Sequence, residues 1–423
     1  MGQAIWGGCV ICGAKFTTNT CFRNIKLHWY QQSMTMNVEI LLNDIFRRHR
    51  LFLPGGEEPS RNEVRTGLRG NILLEGLTQS EAMLVLSTLP KNCTQIYFSP
   101  LDKGLSKAKV YSGRYKLPEG QLSKTFVFKI GPKNTIKREY EAVSRFVTPY
   151  LQNVSPPIYR VWDDDGLIVQ DFAGTSTESD LVSLKECVRT DQGSNVVSRL
   201  LRARLGKWYQ DGVFDRSSHH LGDLFKPYLS KAGDTFEYPE GWGELKNWVQ
   251  NISDLAWSPE GPILDHLKIS EILSPTTIVH GDLHSQNVLV DDRQEAWPID
   301  FAWCRNLASP ILDFTMLECS LKFLGIPQRS DLQTLIRVDS KLLMEYQPQV
   351  TIGNVPYHAE ISNVVRAVME IRRYAEEDMG ISWPDYRKAL SLMTYAHSSH
   401  RKLNRPFVLA SLQMAFALES LDN

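Results

Sequence analysis

No stretch of this chain approaches the ~18 consecutive apolar residues that a membrane-spanning helix requires. Charge of one sign is not in excess either. The formal net charge is −1 at pH 7, which advertises neither nucleic acid nor an acidic membrane surface as a partner. Cysteine is scarce: seven in 423 residues, an odd number spread thinly from Cys9 to Cys319. That usage argues against a disulfide framework and for a reducing compartment. Cys93, Cys187, Cys304 and Cys319 read as small apolar core residues. The first residues, MGQAIWGGCVICG, lack the basic start and sustained apolar core of a secretory signal. Trp6 also stands where a myristoylation site wants Ser or Thr. The expectation is a cytoplasmic protein. No internal repeat or low-complexity block is visible. What is there, 42% hydrophobic and 22% charged residues, suits an ordinary globular protein of two or three domains, or one bilobal unit with additions.

The most informative stretch is 278–301, IVHGDLHSQNVLVDDRQEAWPIDF. Apolar strands flank a compact loop that holds His280, Asp282, His284 and Asn287. A second acid, Asp300, closes the short apolar run Trp297-Pro298-Ile299. Strand, polar loop, strand, turn and strand predict a hairpin that carries side chains to the mouth of a cleft. An Asp, an Asn five residues on and another Asp beyond the next turn are the parts that phosphoryl transfer needs. One carboxylate, Asp282, orients and deprotonates an acceptor hydroxyl. An amide oxygen and a second carboxylate, Asn287 and Asp300, hold Mg2+ on nucleotide phosphates. A buried His-Asp pair in an ordinary hairpin would account for HGD alone, but not for the full string with Asp300 in register.

Upstream, Phe126-Val127-Phe128-Lys129-Ile130-Gly131 is an apolar strand interrupted by one lysine. Burying a lone ammonium costs several kcal/mol unless it meets an anion. Lys129 is therefore expected to have a carboxylate partner and a phosphate; the alternative is a lysine snorkelling from an edge strand. The helix predicted over 135–147, TIKREYEAVSRFV, offers Glu139 and Glu141. Glu139 is favoured because it shares the apolar stripe of Ile136 and Val143.

The spacing H-G-D-x-H-x-x-N followed by I-D-F resembles the catalytic and metal-binding loops of the aminoglycoside phosphotransferase and choline kinase group, which has the protein-kinase-like fold. Gly281 replaces the Arg of the protein-kinase H-R-D, and His284 is added, which favours the small-molecule branch. The phrases LxxGLSxAxVY, VFKIG, REYEAV, HGDLHSQNVLV, IDFAW and DFTMLE, followed by a helical tail, are similar to the bacterial ternary complex associated domain. That is a phosphotransferase-like module proposed to act within multi-component assemblies of signalling or conflict systems. The resemblance covers roughly Ile96 to the C-terminus.

What the resemblance implies is an α+β, bilobal, protein-kinase-like fold. A small β-rich N-lobe would span 95–173. A large helical C-lobe would span 174–423, with catalytic and metal loops on a short hairpin at 278–303 and a helical tail at 331–423. The loop from Leu101 to Tyr111 would cover ATP phosphates with its backbone at Gly104 and Ser106, although Lys103 stands where relatives often have a second Gly. Lys129, paired with Glu139, would hold the α- and β-phosphates. Backbone groups around Gln170 and Phe172 would meet adenine at the hinge. His280 and His284 would fix the loop by hydrogen bonds. Asp313, early in the next helix, either braces the catalytic-loop backbone, as in relatives, or is a charge on a helix dipole.

Residues 1–33 stand apart. Cys9 and Cys12 form a knuckle, and Cys21 and His28 could complete four zinc ligands. The spacing matches no zinc module, and a leader segment is the alternative. Residues 34–94 read as a helical extension, with one helix at 38–50 and another opened by the N-cap signature Thr78-Gln79-Ser80-Glu81. The acid cluster Glu376-Glu377-Asp378 either attracts a cationic acceptor or is a solvated helix end.

The expected function is ATP- and Mg2+-dependent transfer of the γ-phosphate to a hydroxyl of a small-molecule acceptor. The alternative is a nucleotide-binding sensor or scaffold with little turnover, whose N-terminal extension and helical tail bind partner proteins. Neither nucleic acid nor a membrane is expected as a partner. A protein kinase is disfavoured: no Ala-Pro-Glu string follows Asp300, and twelve residues separate it from Asp313.

Overall fold

The computed structural model describes residues 77–90, 93, 95–101, 108–151, 154–172, 181–211, 214–232, 242–253, 260–327, 329–344, 358–400 and 403–421. Outside them lie Cys9, Cys12, Cys21 and His28, the helix expected over 38–50, Gly104 and Ser106, and the lobe boundary expected at 173–174. The chain divides into two compact units. One comprises Met1–Leu68, Pro90–Ile96 and Lys116–Gln121. The other comprises Arg69–Leu89, Tyr97–Tyr115 and Leu122–Asn423, and holds every site residue discussed below.

The architecture is α+β, an antiparallel sheet followed by a largely helical region. Helix α1 (Gln79–Leu86) starts as its sequence predicts: the Glu81 carboxylate accepts from the Thr78 N–H at 2.6 Å, and Thr78 Oγ1 accepts from the Glu81 N–H at 3.3 Å. Strands β1 (Gln95–Pro100), β2 (Lys109–Lys116), β3 (Phe126–Pro132), β4 (Ile158–Trp162) and β5 (Asp165–Asp171) form one sheet in the order β1-β2-β3-β5-β4. Lys129 in β3 pairs with Val110 on one side and Ile168 on the other, so it stands on a central strand and not on an edge.

Helix α2 (Lys133–Ala142) follows β3 at once and runs on as a π-helical turn, Val143–Val147. Its buried positions Ile136 and Glu139, with Val143 in the turn, recur at three- and four-residue spacing. The helix lies so close to β5 that a Cβ at Gly166 would stand 3.0 Å from Ile136.

After the short α3 (Leu184–Cys187), residues 193–211 form three helical pieces: α4 (Gly193–Ser198), a π-helical segment Arg199–Arg204, and α5 (Gly206–Asp211). Then come β7 (Phe214–His220), α6 (Leu221–Ala232), α7 (Trp242–Ser253), α8 (Glu260–Ile269) and β8 (Glu271–Val279).

The stretch expected to be one hairpin is shared between two sheets. Strand β8 pairs with β7 and with β11 (Arg305–Ala308). The hairpin proper is β9 (Val288–Val290) with β10 (Ala296–Pro298), and β6 (Val182–Ser183) pairs with β9. Local alternation shows where strands lie, but their partners lie in separate segments of the chain, which local pattern does not carry.

Helix α9 (Ile311–Ser320) is buried at all ten positions, and its sequence, ILDFTMLECS, is apolar nearly all round. It packs against α12 (Trp383–Ser398), which packs on α13 (Arg405–Leu421); α10 (Leu332–Met344) also packs on α13. With α11 (His358–Arg373) these make up the helical tail expected over 331–423. Two ion pairs are buried among them, Arg372–Glu318 at 2.6 Å and Lys322–Asp339 at 2.5 Å. Cys93, Cys187, Cys304 and Cys319 are buried, as expected of small core residues. Among the described residues no helix is long and apolar enough to cross a membrane.

Candidate active site

Strand β3 brings Lys129 to the site and α2 brings Glu139. The Lys129 ammonium lies 2.8 Å from a Glu139 oxygen and 2.8 Å from Asp300 Oδ1. Glu141, the other acid of α2, is exposed and pairs with Lys137 at 3.7 Å. Burial alone would lower the Lys129 pKa, but the two carboxylates outweigh it and hold the ammonium above its ordinary value. One cation cannot fully compensate two anions. The Glu139 carboxyl is accordingly pushed up, by burial first and also by Asp300, against the pull of Lys129. Asp300 is less enclosed; burial raises it, but Lys129 prevails and its pKa falls below the ordinary value. The Gln170 amide, on β5, donates to Glu139 Oε1 at 3.4 Å.

The loop after β8 is built around backbone bonds. His280 is fully buried; its ring lies against Phe301, and its Nε2 is 3.0 Å from the Ile299 carbonyl. The Asp282 N–H donates to His280 Nδ1 at 3.3 Å, so Nε2–H is the donor to Ile299. The Asn287 amide group donates to the Asp282 carbonyl at 2.9 Å, and the Ile299 N–H donates to the Asn287 carbonyl at 2.9 Å. Asp282 and Asn287 are thereby tied to the segment that leads from β10 to Asp300. Asp300 itself has left-handed backbone, φ 62°, and leads into a 3-10 turn, Phe301–Trp303.

Gly281 also has positive φ, 77°, and a Cβ there would collide with the Trp303 carbonyl oxygen. Glycine is required at this position on both counts.

Helix α9 holds the loop from beneath. Asp313 accepts from the His280 N–H at 2.7 Å, the Gly281 N–H at 2.8 Å and the Tyr209 hydroxyl at 2.9 Å. Of the two readings of Asp313, the geometry is that of a brace on the loop backbone. Burial still pushes its carboxyl above the usual range despite these donors. Ser320, at the other end of α9, accepts from the Ser285 N–H at 2.8 Å. The Tyr228 hydroxyl donates to the Gly281 carbonyl.

His284 is placed differently from His280. Its Nε2 is 3.9 Å from Asp282 Oδ2, too far for a hydrogen bond, and its buried Nδ1 has no partner. Burial lowers its pKa, so the ring is neutral at pH 7. The side chain therefore adds no hydrogen bond to the loop among the described residues. At the expected hinge, the Phe172 N–H is already bonded to the Thr125 carbonyl at 3.1 Å, so that donor is not open to a base.

The site thus gathers Lys129, Glu139, Asp300, His280, Asp282, Asn287 and Asp313. Gln170, Tyr209, Tyr228 and Ser320 were not singled out as side-chain supports by sequence reasoning. Their neighbours are set by tertiary packing, and no spacing signals them.

The donor set also bears on Mg2+. Asp300 engages Lys129 through Oδ1, and its side chain is 35% exposed; among the described residues neither its Oδ2 nor the Asn287 Oδ1 has a hydrogen-bond partner. A carboxylate and an amide oxygen suit Mg2+, which is commonly held by one or two carboxylates together with substrate phosphates. They are too few to hold it unaided. In keeping with that, no group of three His, Cys, Asp or Glu among the described residues could hold a metal ion. The residues fit a metal shared with a nucleotide.

Sheet, lysine–glutamate pair and braced loop form one α+β arrangement. Residues 257–399 match the model of a family described as "Ternary complex associated domain 9". Curated proteins provide no match.

Among solved structures the chain is similar to an ethanolamine kinase of Plasmodium vivax, at 11% identity over 77% of this chain and 83% of that one, TM-score 0.33. It is also similar to a choline kinase of Cryptosporidium parvum, at 14% identity over 77% and 89%, TM-score 0.32. A third similar structure is a thermostable aminoglycoside phosphotransferase in ternary complex with AMP-PNP and hygromycin B, at 10% identity over 77% and 100%, TM-score 0.37.

Proposed function

We propose that this protein is a phosphotransferase that moves the γ-phosphate of ATP to a hydroxyl of a small acceptor, in the cytoplasm. The observation that carries the reading is Lys129 Nζ set 2.8 Å from both Glu139 and Asp300, alongside a loop that presents Asp282 and Asn287. Lys129, oriented by Glu139, binds the α- and β-phosphates, as the β3 lysine of kinases does. Asn287 Oδ1 and Asp300 would hold Mg2+, which when bound supplies charge that offsets the phosphates. Asp282, with 32% of its side chain exposed, orients the acceptor hydroxyl and accepts its proton. Asp313, Tyr209 and Tyr228 hold the loop so that this carboxylate does not wander.

The test is Mg2+- and ATP-dependent ADP release against a panel of hydroxyl acceptors. Asp282→Asn is expected to lose ~10²–10⁴-fold in kcat, the contribution of a general base. Equal turnover by this variant would remove Asp282 from the role given it. A second reading is favoured by the description of the family that matches 257–399: a nucleotide-binding sensor or scaffold within an assembly. Thermal stabilisation by Mg-ATP with no phosphate transfer to any acceptor would support it.

A further inference from the structure

Phosphate transfer leaves the acceptor unassigned, and the residues around Gly281 carry charge that the transfer does not use. Trp303 packs against Gly281. The Tyr228 ring, buried, stacks on the Trp303 ring with centroids 6.3 Å apart. The positive charge of Arg305 acts on the Tyr228 hydroxyl, the same hydroxyl that donates to the carbonyl just before Asp282. It does so from β11, opposite Val279. Arg138, exposed on α2 beside Glu139, lays its guanidinium over the Trp303 ring, 5.6 Å from the centroid. Neither arginine has a carboxylate partner among the described residues.

Apart from Asp282, which faces the acceptor hydroxyl in the reading above, three acids of the site are already engaged. Glu139 and Asp300 share Lys129, and Asp313 is filled by two backbone N–H groups and a hydroxyl. In the cluster that was a candidate for attracting a cation, Glu377 and Asp378 pair with Arg202 at 3.6 and 2.8 Å. Beside these rings an acceptor would meet one open carboxylate, Asp282, which is given to its hydroxyl, and two guanidinium groups that have no carboxylate partner among the described residues. An unpaired, partly dehydrated guanidinium beside aromatic faces is built for the opposite charge, which its planar fork binds bidentately.

We propose that the acceptor is an anion: a hydroxyl compound that carries its own carboxylate or phosphate, held by Arg305 and Arg138 beside Trp303 and Tyr228. The hydroxyl chemistry rests on the phosphotransfer reading above; the anion site does not. In the transfer the acceptor oxygen bonds to the γ-phosphorus, the bond from that phosphorus to the β–γ bridging oxygen breaks, ADP leaves, and the hydroxyl proton goes to Asp282.

The experiment uses the full chain with Mg-ADP present and titrates it calorimetrically with glycerate, glycerol 3-phosphate, glycerol and ethanolamine. At least one of the two anions is expected to bind more tightly than glycerol and ethanolamine, and their order distinguishes carboxylate from phosphate. Arg305→Gln is expected to weaken that binding about tenfold or more, with Arg305→Lys recovering part. Arg138→Gln, at an exposed position where folding is not at stake, is expected to weaken it by a smaller factor. With Mg-ATP, KM for the anion rises in Arg305→Gln while kcat changes less. Preference for ethanolamine, binding by none of the four, or anion binding indifferent to both arginines overturns the proposal. Arginine-dependent anion binding without any transfer keeps the anion site and sinks the phosphotransfer reading instead.

Discussion

The ammonium of Lys129 serves two carboxylates that lie on different elements, Glu139 on α2 and Asp300 after β10. Of the two acids Glu139 is the more exposed to loss, because only 2% of its side chain meets solvent. In Lys129→Met it would keep the Gln170 amide alone, and stability at pH 7 is expected to drop by about 3–5 kcal/mol, as when one partner of a buried pair is removed. The pH dependence follows from the direction of the Glu139 shift. Its folded pKa, already raised in the wild type, rises further without Lys129, so the native state holds a proton that the unfolded state has released. Stability of the variant must then increase as pH falls through that window. Urea titrations at pH 7 and pH 5 measure it; a variant equally destabilised at both would show that Glu139 is not the group left unpaired.

Helix α9 and the loop above it behave as one piece. Asp313 fills two loop N–H groups, at His280 and Gly281, plus the Tyr209 hydroxyl. Asp313→Ala would orphan all three in a buried place, each unsatisfied group costing about 1–3 kcal/mol. A loss of several kcal/mol in stability and a fall in kcat that exceeds any change in KM for ATP are expected; retention of both kcat and melting temperature would show the brace to be idle.

This element also shows what could be read in advance. The first-turn acid, the DFTMLE run and the HGD-x-H string were visible, as was the helical character of the tail over 331–423. Glu139 was separable from Glu141 because burial selects the position on the stripe. The partner strands of β8 were not legible, nor was Arg305 on Tyr228, because both are fixed by segments distant in sequence. His284 misled for a related reason: its place in the motif suggested a hydrogen bond, and only the fold shows that its Nδ1 faces none.

At the scale of the whole molecule, acid stability should turn on a group outside the site. His397, in the last turn of α12, donates from Nδ1 to the Met393 carbonyl and packs on Phe323. Burial pushes its pKa from 6.5 down to about 4, despite the helix C-terminus that would favour a cation. It is neutral in the fold and protonated in the unfolded chain below 6.5. The stability it confers is therefore complete above pH 6.5 and is lost as pH falls towards 4, by about 3 kcal/mol in all. His397→Phe should flatten that part of the stability–pH curve relative to the wild type, read from denaturant midpoints between pH 7 and 4; an unchanged slope would assign the acid sensitivity to other groups.

The bond from Lys129 to Asp300 has one more consequence, in the order of assembly. It spans 171 residues of chain, and the Tyr209–Asp313 bond spans 104. Closing such loops costs entropy before any contact repays it, and non-local contacts form slowly. The site should therefore be among the late events of folding, following the local helices of the tail. A nascent chain that has not yet released Asp313 from the ribosome can hold Lys129 against Glu139 but has no braced loop to set beside them. Nucleotide turnover, where it is found, thus reports a chain that has closed both of these long loops.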